Sequence, residues 1–359
     1  MILNFLILIL INYNLCNKTI NNIKNNFINE TYMYTSYSQT LNNNKRINNK
    51  KNLIMGVISK YSLNQILPFF NSFKRSHFEN CDIVMFVRYI AKNTIDYLQS
   101  NGVIVHIIPE IYKKVGTINL RWKMYIDFLK DKKNKYNLIF SADVRDIFFQ
   151  KDIFKYYENH KPFLGVAIED GTNNQWLNRQ WIIDYAGLEK QKLIKNERVI
   201  CVGTIWGTYK IFLDFCKVFW KRLIENPKYI EQGIANYMFY YDKLFGDLLV
   251  KSDNFGPVMT IGLTKRQNIV LDQQNNILNF AGEIASVIHQ YDRKRDIVEK
   301  VIKKYCPEII YFNNNINKNN LKKVKQRMYK PEKIYNSSNS MTLNITENIS
   351  EYYNNIFFL

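Results

Sequence analysis

The sequence is poor in glycine, proline and histidine, with 13 Gly, 7 Pro and 4 His among 359 residues. So little glycine excludes a collagen-like protein or a glycine-rich linker. The four histidines and five cysteines show no Cys-x-x-Cys spacing and no metal-ligand grouping, which argues against a zinc site built from His and Cys. The glycine-rich phosphate-binding segments of dinucleotide-binding folds and of P-loop ATPases are also missing, so both classes are disfavoured.

What the sequence does contain is a large apolar fraction and an excess of basic residues. Hydrophobic residues make up 47% of the chain, which is enough to bury a sizeable core and excludes a wholly disordered protein. The 50 Lys and Arg against 31 Asp and Glu give a net charge of +19, which would suit a nucleic-acid, membrane or anionic-substrate partner. Much of this excess lies in Asn-rich flanks. We attribute it to the codon usage of an AT-rich genome and expect no nucleic-acid partner.

The N-terminus carries a nearly unbroken apolar run, ILNFLILILI, at residues 2–11. The run is shorter than the roughly 20 residues that span a membrane, but it fits the core of a signal peptide, which is about 7–15 residues long. The alternatives are an uncleaved membrane anchor and an N-terminal core strand. We therefore predict a signal peptide or short anchor over residues 1–16. The predicted location is the secretory pathway, in the ER or Golgi lumen, or outside the cell.

The flanks of the chain are rich in Asn and Lys and lack apolar periodicity. We predict a low-complexity linker at 17–51 and a low-complexity tail at 311–359, both disordered. Every Asn-x-Ser/Thr glycosylation acceptor begins in these flanks, which suits an exposed tail but could also arise by chance; they are Asn17, Asn29, Asn336, Asn344 and Asn348. If Cys16 is removed with the signal, the other four cysteines could form up to two disulfides.

Residues 52–310 are predicted to form one α/β domain. Helical segments at 63–76, 92–100 and 117–130 alternate with short apolar strands at 53–59, 82–88, 103–109, 138–141 and 163–168. Such alternation indicates a mixed, mostly parallel sheet with helices on both faces. In sheets of this kind, ligands bind beyond the carboxyl ends of the strands, so the polar residues that follow each strand are the candidates for a site.

The fourth predicted strand ends in two carboxylates, Asp143 and Asp146, within the segment SADVRD. Such a pair could hold a hard divalent cation, which in turn could neutralise a diphosphate. The alternative is a helix cap, with either aspartate starting a helix over the following segment IFFQKDIF. We favour the metal because the pair follows the fourth strand of an α/β block.

With these residues the sequence resembles the nucleotide-sugar-dependent glycosyltransferases of the GT-A type. Those enzymes carry an Asp-x-Asp motif at the end of a central strand, often followed by Asp-Pro-Phe; here the motif is Asp-Val-Arg-Asp and the triplet is Asp152-Ile153-Phe154. Many members complete the metal shell with a late histidine, which the resemblance places at His289 in the segment SVIHQYDR. It implies a divalent metal on Asp143, Asp146 and His289. The imidazole favours Mn²⁺, with Mg²⁺ as the alternative.

The resemblance also implies contacts with the nucleotide-sugar donor. The first strand would lie under the base. Arginines near the motif would contact the nucleotide and its phosphates. A small-residue segment between a strand and the helix at 209–223 would face the sugar and the acceptor. The candidate donor-contacting residues are Val57, Ser59, Lys60, Arg121, Arg145, Gly203, Thr204, Gln232 and Arg293. Glu169 or Asp170 would lie near the sugar, where an inverting enzyme needs a base for the acceptor hydroxyl.

The sequence thus predicts a metal-dependent enzyme that moves a sugar from a nucleotide-diphosphate sugar to a hydroxyl group of a glycan or glycoprotein. It leaves open whether transfer retains or inverts the configuration at the sugar. The alternatives are a secreted protein of the same fold that binds nucleotides or glycans without catalysis, a basic nucleic-acid-binding protein, and a nucleotidyltransferase with the same sheet.

Overall fold

A seven-stranded sheet forms the centre of the chain. The structure is a computed structural model that describes residues 50–113 and 115–308. The strands are β1 (Lys51–Ser59), β2 (Cys81–Arg88), β3 (Ile104–Ile107), β4 (Tyr136–Asp143), β5 (Ile147–Phe149), β6 (Leu164–Thr172), β7 (Arg198–Thr208), β8 (Leu249–Ser252), β9 (Val258–Thr260), β10 (Val270–Leu271), β11 (Ile277–Leu278) and β12 (Val287–His289). The order across the central sheet is β3–β2–β1–β4–β7–β6–β8, and within it β7 alone runs antiparallel to its neighbours. The predicted α/β class with a mixed, mostly parallel sheet is confirmed.

Helices connect and cover these strands. They are α1 (Leu63–Arg75), α2 (Lys92–Ser100), α3 (Thr117–Leu129), α4 (Ile153–Tyr157), α5 (Trp176–Ala186), α6 (Leu188–Ile194), α7 (Tyr209–Glu225), α8 (Glu231–Tyr240) and α9 (Arg295–Tyr305). The start of α1 follows from its sequence, because Ser62 and Gln65 form a capping box in which the Ser62 backbone N–H donates to Gln65 Oε1 at 2.8 Å. The first three helices match their predicted bounds within one residue.

The central strands are buried from both sides. Leu53, Ile54 and Met55 of β1 have no exposed surface. Because neighbouring strand residues point to opposite faces, their joint burial shows that helices cover both faces of the sheet. Much of this cover is aromatic: Trp122 of α3 and Phe215 of α7 lie with ring centroids 5.2 Å apart in an edge-to-face arrangement.

The segment directly after the acidic motif forms a strand, and not the helix that the cap alternative for Asp143 and Asp146 requires. Asp143 is the last residue of β4, and Asp146 lies in the turn before β5. The helix of this segment, α4, begins only after Asp152, whose side chain caps it by accepting a hydrogen bond from the Phe154 N–H at 2.9 Å. The helix-cap alternative for Asp143 and Asp146 is therefore wrong, and Asp152 has that role.

A second, three-stranded sheet brings the late histidine to the motif. Its order is β5–β12–β9, with β12 antiparallel to β5 and parallel to β9. In this register His289, at the end of β12, lies opposite Ile147, the residue after Asp146. The backbone N–H of Gln290 donates to the Asp146 carbonyl at 2.8 Å. Two residues that are 143 positions apart in the sequence are thereby fixed side by side.

Other predictions lie partly or wholly beyond the described chain. The signal or anchor at 1–16, the low-complexity linker and tail, and the five glycosylation acceptors fall outside the described residues, apart from the last two residues of the linker. Among the helices that are described, none is long and apolar enough to span a membrane. The four described cysteines, Cys81, Cys201, Cys216 and Cys306, form no disulfides.

Candidate active site

Asp143, Asp146 and His289 converge at the carboxyl end of β4. One ligand atom from each lies within 4.8 Å of the others. The His289 Nε2 atom is 3.5 Å from Asp146 Oδ1 and 3.9 Å from Asp143 Oδ2. His289 and Asp146 are buried, with exposures of 1% and 6%, whereas the side chain of Asp143 is 38% exposed. The cluster is thus a mostly enclosed site that opens toward solvent at Asp143.

The chemistry of the cluster fits a divalent cation. His289 Nε2 is buried and has no hydrogen-bond partner among the described residues, although it faces two carboxylates. Burial raises the pKa of Asp146, but His289 and Arg145 lower it by more, so it lies below its ordinary value. Burial likewise lowers the pKa of His289, while Cys201 and Asp146 raise it well above its ordinary value. The pocket therefore favours positive charge at Nε2, and carboxylate oxygens and imidazole nitrogens are both ligands of divalent cations.

Gly203 leaves the space that such an ion needs. A Cβ atom at this position would overlap His289 Cε1 and would lie 2.7 Å from both Asp143 Oδ2 and His289 Nε2. These distances are below the 3.0 Å that real Cβ atoms keep. Glycine is required here for close approach, since its φ is not in the left-handed region.

A bulge in β7 presents Gly203 to the cluster. In the pairing with β6, Val166 lies opposite Ile205 but Ala167 lies opposite Cys201, so three residues of β7 have no partner on β6. Gln232 on α8 fixes this bulge: its Oε1 accepts from the Val202 N–H at 3.1 Å, and its Nε2 donates to the Ile200 carbonyl at 2.8 Å.

The structure therefore differs from the sequence analysis in two details of this segment. Residues 202–208 lie within β7 and do not form a loop between a strand and a helix. Thr204 is fully buried opposite Ala142, and Gln232 bonds the backbone of β7. The position of Gly203 in the site is thus set by hydrogen bonds from α8.

Arg121 is part of a buried ion network that holds Asp143. Its Nη1 donates to Asp143 Oδ1 at 2.5 Å, and its Nη2 donates to Glu231 Oε1 at 2.5 Å and to the Val202 carbonyl at 3.1 Å. Trp122 Nε1 donates to the second oxygen of Glu231 at 2.9 Å. Burial lowers the pKa of Arg121, but Glu231 and Asp143 raise it above its ordinary value, so the guanidinium stays charged. Arg121 thereby occupies Oδ1 of Asp143 and leaves Oδ2 facing His289.

The two candidate catalytic carboxylates have different surroundings. Asp170 is fully engaged, because Arg198, Asn254 and Thr264 donate to its oxygens at 2.9, 2.9 and 2.5 Å. Glu169 is buried, with 6% exposure, and its Oε1 accepts one long hydrogen bond of 3.5 Å from Gln290 Nε2. Gln290 directly follows His289, so this hydrogen bond places Glu169 on the side of the Asp143, Asp146 and His289 cluster.

The candidates on β1 lie along the same edge of the sheet. Val57 is aligned with Asp143 in the register of β1 and β4. Ser59 accepts a hydrogen bond from the Thr117 hydroxyl at 3.5 Å, and Lys60 is exposed, with a left-handed φ of 60°. The structure thus places Val57 beside the motif strand β4, whereas Ser59 and Lys60 lie further along, beside Arg88 at the end of β2.

Two arginines border the cluster on the side of β12. Arg145 pairs with Asp292 at 3.0 Å and lies 3.8 Å from Asp146. Arg293 is exposed, and its charge is one of those that hold the pKa of Asp146 below its ordinary value. The pKa of Asp292 is raised, because burial and the charge of Asp146 outweigh the effect of Arg145 and Arg293. Both side chains are within electrostatic reach of the proposed metal ligands.

Four residues that surround the site were not among the predicted site residues: Tyr61, Cys201, Glu231 and Gln290. Burial raises the pKa of Tyr61 to about 12, and the charges that act on its hydroxyl are those of the motif. The sulfur of Cys201 lies 3.5 Å from His289 Nδ1, and burial raises the pKa of this thiol to about 11. Tyr61 could have been found from its place directly after β1. No sequence signal marked the contact of Cys201, because that contact depends on the β7 bulge.

Comparison with known proteins gives matches only among solved structures. The chain is similar in fold to the galactosyltransferase LgtC. A structure of an active-site mutant of LgtC matches with a TM-score of 0.45, and a complex of LgtC with donor and acceptor sugar analogues matches with a TM-score of 0.44. Each match has 12% identity and covers 70% of this chain and 95% of LgtC. No protein-family model and no curated protein matches the sequence.

Proposed function

We propose that this chain is a metal-dependent glycosyltransferase that moves a sugar from a nucleotide-diphosphate sugar to a hydroxyl group of a glycan or glycoprotein. The observation that carries the proposal is the convergence of Asp143, Asp146 and His289 around the space that Gly203 leaves open. This donor set at the carboxyl edge of a mostly parallel sheet is suited to holding a cation against a diphosphate.

Different residues of the site would have different roles in the transfer. Asp143 Oδ2, an oxygen of Asp146 and His289 Nε2 would hold Mn²⁺ or Mg²⁺. When bound, the ion supplies Lewis-acid stabilisation of the departing nucleoside diphosphate. Arg121 keeps Asp143 in place through its other oxygen. Arg145 and Arg293 lie where they can pair with phosphate oxygens by charge-assisted hydrogen bonds.

Glu169 is the better candidate of the two carboxylates for contact with the sugar or the acceptor. Asp170 accepts hydrogen bonds from three donors, so its oxygens are already engaged by side chains of the protein. Glu169 has one long hydrogen bond and lies next to the residue that follows the metal-binding histidine. In an inverting enzyme it would accept the proton of the acceptor hydroxyl; in a retaining enzyme it would orient the sugar.

A screen of nucleotide sugars tests the proposal. Purified full-length protein is incubated with each donor, with Mn²⁺ or with EDTA, and release of nucleoside diphosphate is measured. We expect release from at least one donor, its loss in EDTA, and at least a hundredfold lower rate in Asp143→Ala and Asp146→Ala. Asp96→Ala is the matched control, because Asp96 is an exposed carboxylate on α2 that pairs with Lys92 one helical turn away.

The outcomes separate the rival functions. No release from any donor, with nucleotide binding unchanged in the two aspartate variants, would refute the proposed function. Coupled binding of Mn²⁺ and a nucleoside diphosphate without release or transfer would instead indicate a catalytically inactive binding protein of the same fold.

We also propose that the protein acts in the secretory pathway. The support is the apolar run at residues 2–11 and the glycosylation acceptors in the flanks. N-terminal sequencing and glycosidase treatment of the protein purified from its natural cell test this. An unprocessed N-terminus together with unmodified acceptors would contradict it.

A further inference from the structure

His289 makes a second buried contact on the side away from the carboxylates. While Nε2 faces Asp143 and Asp146, Nδ1 lies 3.5 Å from the sulfur of Cys201. Both side chains are buried, with 1% exposure for His289 and 3% for Cys201. The imidazole is therefore held between a polar cluster at one nitrogen and a thiol at the other.

The position of the sulfur is fixed by the backbone. Cys201 lies opposite Ala167 in the β6–β7 ladder, immediately before the three-residue bulge. Gln290 Nε2 also donates toward the sulfur, at 3.9 Å. Cys201 Sγ thus lies within hydrogen-bonding distance of two neighbouring residues of the β12 end, His289 and Gln290.

Metal-binding histidines usually donate their second ring N–H to a carboxylate, a carbonyl or a water, which fixes the ring and its tautomer. In the described chain the atom in that place is the sulfur of Cys201. Sulfur is a weak acceptor, so it adds little to the basicity of the imidazole. It can nevertheless keep the proton on Nδ1 and so turn Nε2 toward the space that a cation would fill beside the two carboxylates. This matters because, among the described residues, Nε2 itself has no hydrogen-bond partner that would orient the ring.

We propose that Cys201 is a positioning residue of the metal site, whose sulfur accepts the hydrogen bond from His289 Nδ1–H and so aims Nε2 at the cation. This inference rests on the proposed function, since it assumes that Asp143, Asp146 and His289 bind a metal. It assigns no contact between Cys201 and the substrate.

Mn²⁺ affinity measured by calorimetry on the full-length protein tests the inference. Loss of an outer-shell partner typically weakens metal binding 10- to 100-fold, and for a weak acceptor we expect about tenfold in Cys201→Ala. Cys201→Ser keeps an acceptor and should recover most of the affinity. Cys216→Ala is the matched control, because it also removes a fully buried thiol, on α7, and should bind Mn²⁺ within twofold of the wild type.

A spectroscopic readout distinguishes positioning from general stability. In ¹H–¹⁵N spectra of the Mg²⁺-loaded protein, the His289 Nδ1–H signal should be present in the wild type and in Cys201→Ser. It should exchange away in Cys201→Ala, with the Cys216→Ala spectrum unchanged. If Asp143→Ala abolishes Mn²⁺ binding but Cys201→Ala binds Mn²⁺ within twofold of the wild-type affinity, this inference is overturned and the proposed function is not. Absence of Mn²⁺ binding in the wild type would overturn it together with the proposed function.

Discussion

Gly203→Ala is the substitution that tests the geometry of the site most directly. It adds one methyl group at a position where Cβ would overlap His289 Cε1 and lie 2.7 Å from Asp143 Oδ2 and His289 Nε2. Neither neighbour can move away freely. His289 is held in the β5–β12–β9 sheet, and Asp143 is held by Arg121. The overlap caused by the added methyl group can therefore be relieved by displacing the side chains of Asp143 and His289 or by displacing the bulge of β7.

The size of the effect follows from the cost of overpacking. Extra methyl groups in a filled interior cost about 1–3 kcal/mol, which corresponds to roughly 5- to 150-fold in an equilibrium constant. We expect Mn²⁺ affinity to fall within that range, because the strain is relieved at the ligands. Isothermal calorimetry measures the affinity, and urea unfolding measures how much of the cost appears as lost stability.

Gly116→Ala is the matched control for this prediction. Gly116 precedes α3, and a Cβ atom there would meet nothing within 4 Å. This variant should bind Mn²⁺ like the wild type. If Gly203→Ala also binds Mn²⁺ with wild-type affinity and keeps wild-type stability, the space beside Gly203 is not where the ion binds.

Two further predictions concern stability. Burial raises the pKa of Glu231 to about 7 from 4.5, while Arg121 opposes the shift, so the folded state takes up a proton more readily than the unfolded state. The stability that this group contributes is complete below about pH 4.5 and is lost as the pH rises through 7. Glu231→Gln should therefore flatten the dependence of urea-unfolding free energy on pH over this window, and an unchanged slope would contradict the shift. Asp152→Ala removes the cap of α4 and should cost about 1 kcal/mol of unfolding free energy without changing Mn²⁺ affinity. A loss of Mn²⁺ binding in this variant would place Asp152 in the metal site.

Local patterns in the sequence were sufficient to predict much of the sheet. The apolar strands and the first three helices follow from continuous hydrophobic runs and helical spacing, which depend on neighbours a few residues away. The end of β4 at Asp143 was predictable for the same reason, because a buried run stops where the carboxylate begins. The resemblance to a known motif then suggested His289, and the structure places it against Asp143 and Asp146.

What the sequence could not predict depends on pairing between distant segments. The antiparallel direction of β7 depends on its pairing with β4 and β6. The bulge of β7 is held by hydrogen bonds from Gln232, some 30 residues further along the chain. The pairing of Arg121 with both Asp143 and Glu231 joins three separate elements and has no local signature. The contact between Cys201 and His289 is of the same kind. In each case the residue type was visible in the sequence but its partner was not.

The metal ligands belong to two different sheets. Asp143 ends a strand of the central sheet, whereas His289 ends a strand of the small sheet, and Asp146 lies in the turn that joins them. An ion held by all three would act as a cross-link between two sheets that also meet through side-chain contacts such as those of Cys201 with His289 and of Glu169 with Gln290. Part of the free energy of metal binding would then stabilise the docked position of the small sheet. Metal binding would therefore slow amide hydrogen exchange in β5 and β12. Larger fluctuations of the small sheet would therefore go with a shorter residence time of the metal.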